Sequence, residues 1–295
     1  MQQRLKGVIA AIPTSITETG EIDATTFMKL AQYLLANGCD GLNVLGTTGE
    51  ATSFSLAQRM ALMSAVKAQG LPMNRLMVGT GAAAVADAVA LTRHAAELGF
   101  AGALVLPPFY YKGVPDAGVF AYLERIVRAT EQAPIPIYLY NFPALSGVPY
   151  NAALVGSLIA AFPNRMAGLK DSSGDLDYAR AIAALSSSFD VFPSSEACLG
   201  EARSGAFAGC ISATANVNSA DCARAYHGGD DAALARAVAV RKAFDGKPLI
   251  PGVKAVLAER LNLPGLARVM PPMVDASDEL IASLASVRGA QQAAE

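Results

Sequence analysis

Charge and histidine are both in short supply in this chain. Charged residues make up 16% of its 295 positions, the formal net charge is -2, and no basic cluster occurs. The electrostatic footprint expected of a nucleic-acid or acidic-membrane binder is therefore missing. Histidine occurs only as His94 and His227, too seldom to make imidazole the expected proton carrier. Cys39, Cys198, Cys210 and Cys222 lack any Cys-x-x-Cys spacing and lie far from either histidine in the sequence, which suggests neither a zinc site nor a disulfide framework. Cys210 falls inside an apolar run and reads as a small buried hydrophobe. The apolar run near the N-terminus stops at Pro13, too short for a secretory signal or a membrane span. These absences predict reduced thiols, a cytoplasmic location, no metal site, no cofactor, and small-molecule partners in preference to nucleic acid or membrane.

Hydrophobic residues, by contrast, reach 53%, ample for a large core. Short apolar runs alternate with longer alanine-rich segments. The runs at residues 7–13, 41–46, 76–81, 102–107, 135–141, 166–170, 189–193 and 209–213 are apolar almost continuously, which predicts strands buried on both faces of a parallel sheet. Between them, residues 25–37, 56–68, 85–98, 119–129, 152–161, 176–185 and 197–204 repeat apolar positions at helical spacing. Asp23, Ser55, Asp116 and Asn151 stand where N-caps belong, and Gly38, Gly70 and Gly99 where helices close. Eight strand–helix units in uninterrupted alternation predict an α/β fold of the (β/α)8 TIM-barrel type. The barrel is expected over residues 1–220. The proline-punctuated remainder, 221–295, is expected to pack on it as an extra helical layer.

Three of the predicted strands end in polar chemistry. Gly46-Thr47-Thr48-Gly49-Glu50 follows the second, and its backbone amides and two hydroxyls can form a small anion nest suited to a carboxylate. No Walker-type Gly-Lys-Ser/Thr follows it, and the lone Gly79-Thr80-Gly81 is no nucleotide fingerprint. Tyr140-Asn141-Phe142-Pro143 ends the fifth strand and offers a phenol for proton transfer. Lys170-Asp171-Ser172-Ser173-Gly174 ends the sixth. A lysine at the end of an apolar strand either pairs, with Asp171 for example, or favours the neutral amine, and a neutral buried amine attacks ketones. In a barrel all three strand ends face one pocket.

Gly-Thr-Thr-Gly-Glu, Tyr-Asn-x-Pro and Gly-x-Lys-x-Ser, in this order and at these spacings, resemble the lysine Schiff-base aldolases, the family that includes dihydrodipicolinate synthase and N-acetylneuraminate lyase. The resemblance covers essentially the whole chain. It implies that Lys170 forms an imine with pyruvate and that an aldehyde or keto acid is the second substrate. It implies a proton relay of Tyr140, Thr47 and a tyrosine from an adjacent subunit, a position to which Tyr110 aligns, within a homotetramer built as a dimer of dimers. Gly46 and Thr48 belong to the carboxylate nest, and Ser172, Glu196 and Ser212 match positions that contact the substrate tail in the sialic-acid lyases.

Leu145 departs from the synthases, which carry arginine there, and agrees with the sialic-acid lyases, whereas Ser194-Ser195-Glu196 retains only the glutamate of their Gly-x-Asp-Glu. The resemblance thus implies an aldolase or lyase of a neutral or hydroxylated aldehyde or of a 2-keto-3-deoxy sugar acid. The alternatives are 4-hydroxy-tetrahydrodipicolinate synthase itself, with an arginine such as Arg203 replacing the missing one, a dehydratase of 2-keto-3-deoxy sugar acids, and a non-catalytic keto-acid sensor.

Overall fold

The computed structural model describes residues 4–289. Strands β1 (Gly7–Ala11), β2 (Gly41–Val44), β3 (Leu76–Gly79), β4 (Gly102–Val105), β5 (Ile137–Asn141), β6 (Met166–Asp171), β7 (Asp190–Pro193) and β8 (Gly209–Ser212) pair in parallel in the order β7-β6-β5-β4-β3-β2-β1-β8. β7 and β8 share no ladder, but Ala208 N donates to Val191 O at 2.9 Å across that seam, leaving a nearly closed barrel. The fold is the expected TIM barrel.

Alternation along each strand divides the apolar residues into two cores. Leu42, Val44, Val78, Val105, Leu139 and Leu169 face the helices and join Phe27, Leu30, Leu62 and Leu91 in one cluster. Ile9, Ala11, Met77, Leu104, Tyr138, Tyr140, Phe192 and Ile211 fill the barrel interior. This two-sided burial is why the strands read as continuous apolar runs. The ring of Tyr138 plugs the interior between two glycines. A Cβ on Gly102 would lie 2.6 Å from Tyr138 Cε2, and one on Gly168 would lie 2.8 Å from its Cδ1.

Helices α1 (Ala24–Ala36), α2 (Leu56–Ala68), α3 (Val85–Leu98), α4 (Asp116–Ala129), α5 (Pro143–Ser146), α6 (Ala152–Ala161), α7 (Leu176–Ala183), α8 (Leu199–Arg203) and α9 (Ala215–Ala223) follow successive strands. Asp23, Ser55 and Asn151 cap α1, α2 and α6, and Ser55 forms a reciprocal capping box with Gln58. Asp116 does not cap. Pro115 occupies that position in extended geometry, and Asp116 is the first helical residue, where its carboxylate accepts from Asn151 Nδ2 at 2.7 Å and joins the starts of α4 and α6.

The layer beyond β8 comprises α9, α10 (Asp231–Ala243), α11 (Leu249–Arg260), α12 (Asp278–Ser283) and α13 (Ala285–Gly289). The boundary expected at 220/221 falls inside α9, which itself packs on β1. Residues 1–3 and 290–295, included in the expected bounds, lie outside the described residues. All four cysteines are free and buried, and burial pushes the Cys39 thiol up to about 12. Among the described residues, no helix is long and apolar enough to cross a membrane, and no group of three or more His, Cys, Asp and Glu is placed to hold a metal ion.

Candidate active site

Lys170 is the fifth residue of β6, paired in register with Tyr140 of β5, and is 4% exposed. Its Nζ stands 4.3 Å from the centre of the Tyr140 ring, close enough for the ring face to stabilise a cation there. Among the described residues it has no ion pair. Asp171 points to the other face of β6, where it accepts from Asn141 Nδ2 and Ser173 Oγ, each at 2.8 Å, and burial raises its pKa. The ion pair between Lys170 and Asp171 that the sequence left open is therefore not formed.

Tyr140 OH lies 3.2 Å from Thr47 Oγ1. Thr47 belongs to a tight turn bracketed by two non-glycine residues in left-handed geometry, Leu45 at φ 53° and Glu50 at φ 56°. Such residues persist where their surroundings over-determine them. Glu50 is so held: one carboxylate oxygen takes Lys254 Nζ at 2.5 Å and the other Met270 N at 2.6 Å. Thr14 bridges the same pieces, donating to Gly49 O at 2.7 Å and accepting from Lys254 Nζ at 2.9 Å. Burial lowers the pKa of Lys254, and the Glu50 charge pulls it back up.

A cavity of about 870 Å³ opens at the strand ends, lined by Lys170, Tyr140, Thr47, Thr48, Ser172 and Leu145 together with Arg241, Lys242 and Asp245 of the C-terminal layer. A second cavity of about 270 Å³ adjoins it, sharing Thr47, Tyr140 and Leu145 and adding Gly46 and Arg59. Arg59 is buried, donates to Gly79 O at 2.9 Å and Gly81 O at 3.3 Å, and is lowered to about 10 by burial.

The remaining expected residues lie elsewhere. Glu196 is fully buried and lines neither cavity. One of its oxygens accepts from Ser212 Oγ at 2.7 Å and from Thr214 Oγ1, so Glu196 and Ser212 bind each other. Tyr110 is 74% exposed, edge-on to Tyr111 with ring centres 5.3 Å apart, and it too lines neither cavity. Arg203 is likewise outside both. Sequence reasoning missed Arg241, Lys242, Arg59 and Lys254. Arg59 and Lys254 sit within apolar helical repeats with nothing local to mark them, and Arg241 and Lys242 reach the cavity because α10 packs against the turn that follows β7.

The arrangement offers a buried amine, a phenol–hydroxyl pair beside it and an amide-rich turn in one cavity, the parts needed for carbonyl chemistry through an imine. Comparison with known proteins agrees. The profile of the dihydrodipicolinate synthetase family matches residues 4–288. A protein of Chloroflexus aurantiacus described as an uncharacterized DapA-like lyase is 33% identical over 286 residues, 95% of this chain and 94% of that one. A 4-hydroxy-tetrahydrodipicolinate synthase of Rhodospirillum centenum is 34% identical over 240 residues, 78% of each chain. The crystal structure of dihydrodipicolinate synthase from Agrobacterium tumefaciens superposes with a TM-score of 0.89 at 28% identity, covering 97% of this chain and 98% of that one. The chain belongs to the dihydrodipicolinate synthetase family, and it is a lyase of the kind that works through a lysine–pyruvate Schiff base.

Proposed function

We propose that the protein joins or cleaves pyruvate and a hydroxylated aldehyde, with Lys170 as the imine-forming residue. The neutral amine of Lys170 attacks C2 of pyruvate, the carbinolamine loses water, and the iminium draws electrons from C3. Loss of a C3 proton leaves an enamine. Its attack on the aldehyde carbon forms the new carbon–carbon bond, and hydrolysis of the second iminium frees the product and restores Lys170. Tyr140, linked to Thr47, gives a proton to the departing water, takes one back from C3, gives it to the alkoxide formed from the aldehyde, and recovers it from the water that adds to the second iminium. Thr48 and the amides of the turn hold the pyruvate carboxylate. In the reverse direction the same steps release pyruvate.

The observation that carries this reading is the trio of Lys170 Nζ over the Tyr140 ring at 4.3 Å and Tyr140 OH at 3.2 Å from Thr47 Oγ1. Leu145, 60% exposed in the cavity wall, leaves no cation where the synthases carry arginine, which favours a hydroxylated partner over an amino-acid semialdehyde at that wall. The exposed pair Tyr110 and Tyr111 supports assembly as a homotetramer, and the cysteines support a cytoplasmic setting. The test is reduction with borohydride in the presence of pyruvate, followed by peptide mass spectrometry. The adduct is expected on Lys170; label on Lys67 or Lys254, or none at all, would refute the assignment.

A further inference from the structure

Asn141 and Asp171 form the last rung of the β5–β6 ladder, one step beyond the rung that pairs Tyr140 with Lys170. Alternation turns their side chains away from the barrel interior, and both residues are buried. There Asn141 Nδ2 donates to Asp171 Oδ1 at 2.8 Å. Around this bond every polar atom of the two side chains has a partner. Asp171 Oδ1 also accepts from Ser173 N at 3.2 Å and Oδ2 from Ser173 Oγ at 2.8 Å, while Asn141 Oδ1 accepts from Tyr150 N at 3.1 Å. Tyr150, itself fully buried, donates its hydroxyl to Val105 O of β4 at 3.4 Å and accepts from Tyr178 OH of α7 through its carbonyl. Backbone bonds of 2.8 Å run from Ser172 N to Asn141 O and from Ser194 N to Asp171 O. One cross-strand contact thus ties β4, β5, β6 and α7 together behind the Lys170 cavity.

Two features of these strands give the contact more than a packing role. The β5–β6 ladder is irregular between Ile137 and Tyr138, whose partners are Met166 and Gly168, so that Ala167 is passed over. The rungs before the irregularity therefore do not dictate the register of those after it, and a slip of one residue would exchange the faces of β6 and carry Lys170 out of the cavity. The second feature is the amine itself. It has no ion pair among the described residues, so its place is set by the strand that carries it and not by a partner at its head. Asp171 lines the cavity wall, yet both of its oxygens are turned to Asn141 and Ser173. The carboxylate next to Lys170 in the sequence is thereby kept off the amine.

Resting on the reading of Lys170 as the imine former, we infer that Asn141 and Asp171 are positioning residues whose clasp sets the Lys170 amine against the ring and hydroxyl of Tyr140. Attack on pyruvate C2 and proton delivery to the departing water need amine and phenol in one fixed relation. A displacement of about 1 Å in such a relation costs on the order of a hundredfold in rate. Neither the Asn141 amide nor the Asp171 carboxylate is left free to bind substrate, so both act through the two residues one rung away.

The experiment uses the full-length protein and reads the rate at which saturating pyruvate with borohydride labels Lys170, well below the midpoint of thermal unfolding of each variant. Asn141→Asp sets two carboxylates against each other and should slow labelling by about tenfold or more. Asp171→Asn leaves an amide oxygen that still accepts from Asn141 and should slow it less. Combining the two substitutions restores the cross-strand bond with donor and acceptor exchanged, and should recover part of the rate. In a Tyr140→Phe background Asn141→Asp should slow labelling little further, because the relation it upsets has already lost its hydroxyl. A pair that merely stabilised the fold would produce neither the rescue by exchange nor this non-additivity. Should Asn141→Asp not fold, Asn141→Ser, which cuts the clasp without adding charge, is read in its place. Labelling as fast as wild type in the folded Asn141 variant, or a loss in Asn141→Asp that the exchange leaves untouched, overturns the clasp while the wild-type adduct on Lys170 leaves the imine reading standing. Absence of an adduct in the wild type overturns both.

Discussion

Lys254 Nζ and Glu50 Oε1 are 2.5 Å apart with both side chains fully buried, so helix α11 is tied by an ion pair to the turn that carries Thr47 and Thr48. Removing one member of a buried pair strands the other, at a cost of about 3–5 kcal/mol. Lys254→Met should lower stability by that order in urea unfolding and should also reduce turnover, because the left-handed Glu50 loses what fixes it. Glu50→Gln combined with Lys254→Met should recover part of the stability. Equal destabilisation in the single and double variants would show that the pair is not the anchor.

Tyr140→Phe keeps the ring face under Lys170 and deletes the hydroxyl that meets Thr47. Turnover should fall by about two to four orders of magnitude, the usual worth of a positioned acid–base group, with the cavity intact. Thr47→Val should act through the same hydrogen bond, so the double variant should lose little more than Tyr140→Phe alone. Additive losses in steady-state kinetics would separate the two residues.

Tyr110 is expected to act from one subunit in the neighbouring site. Tyr110→Phe should lower turnover while the borohydride adduct on Lys170 still forms, and sedimentation should give a tetramer. Unchanged turnover, or a monomer at micromolar concentration, would remove the shared relay and leave Tyr110 and Tyr111 as surface aromatics.

Leu145→Arg places a guanidinium on the wall of the Lys170 cavity. For aspartate semialdehyde, a gain of about 1.5–3 kcal/mol from charge-assisted hydrogen bonds corresponds to one to two orders of magnitude in kcat/KM relative to wild type. No gain would mean that the side chain at 145 does not reach the second substrate.

Much of this architecture was legible in the sequence. The strands could be read because two-sided burial makes runs such as Met166–Leu169 apolar throughout, and Lys170, Tyr140 and Thr47 stood out because each breaks such a run at its end. Asp116 was misplaced by one position, since Pro115 is as able to begin a helix as an aspartate is to cap one. Glu196 looked like a substrate contact; only the packing of β7 against β8 turns its carboxylate towards Ser212 and Thr214. Arg241 and Lys254 were illegible because helix periodicity says which face is apolar but not which foreign loop that face will meet.

The plug formed by Tyr138 between Gly102 and Gly168 closes the barrel interior beneath Lys170. Traffic must therefore use the mouth at the strand ends alone. Whatever enters second lies between the first arrival and bulk solvent, so the order of entry is imposed by the shape of the vessel. Pyruvate has to reach the amine, and the water expelled on imine formation has to leave, before a second substrate corks the opening.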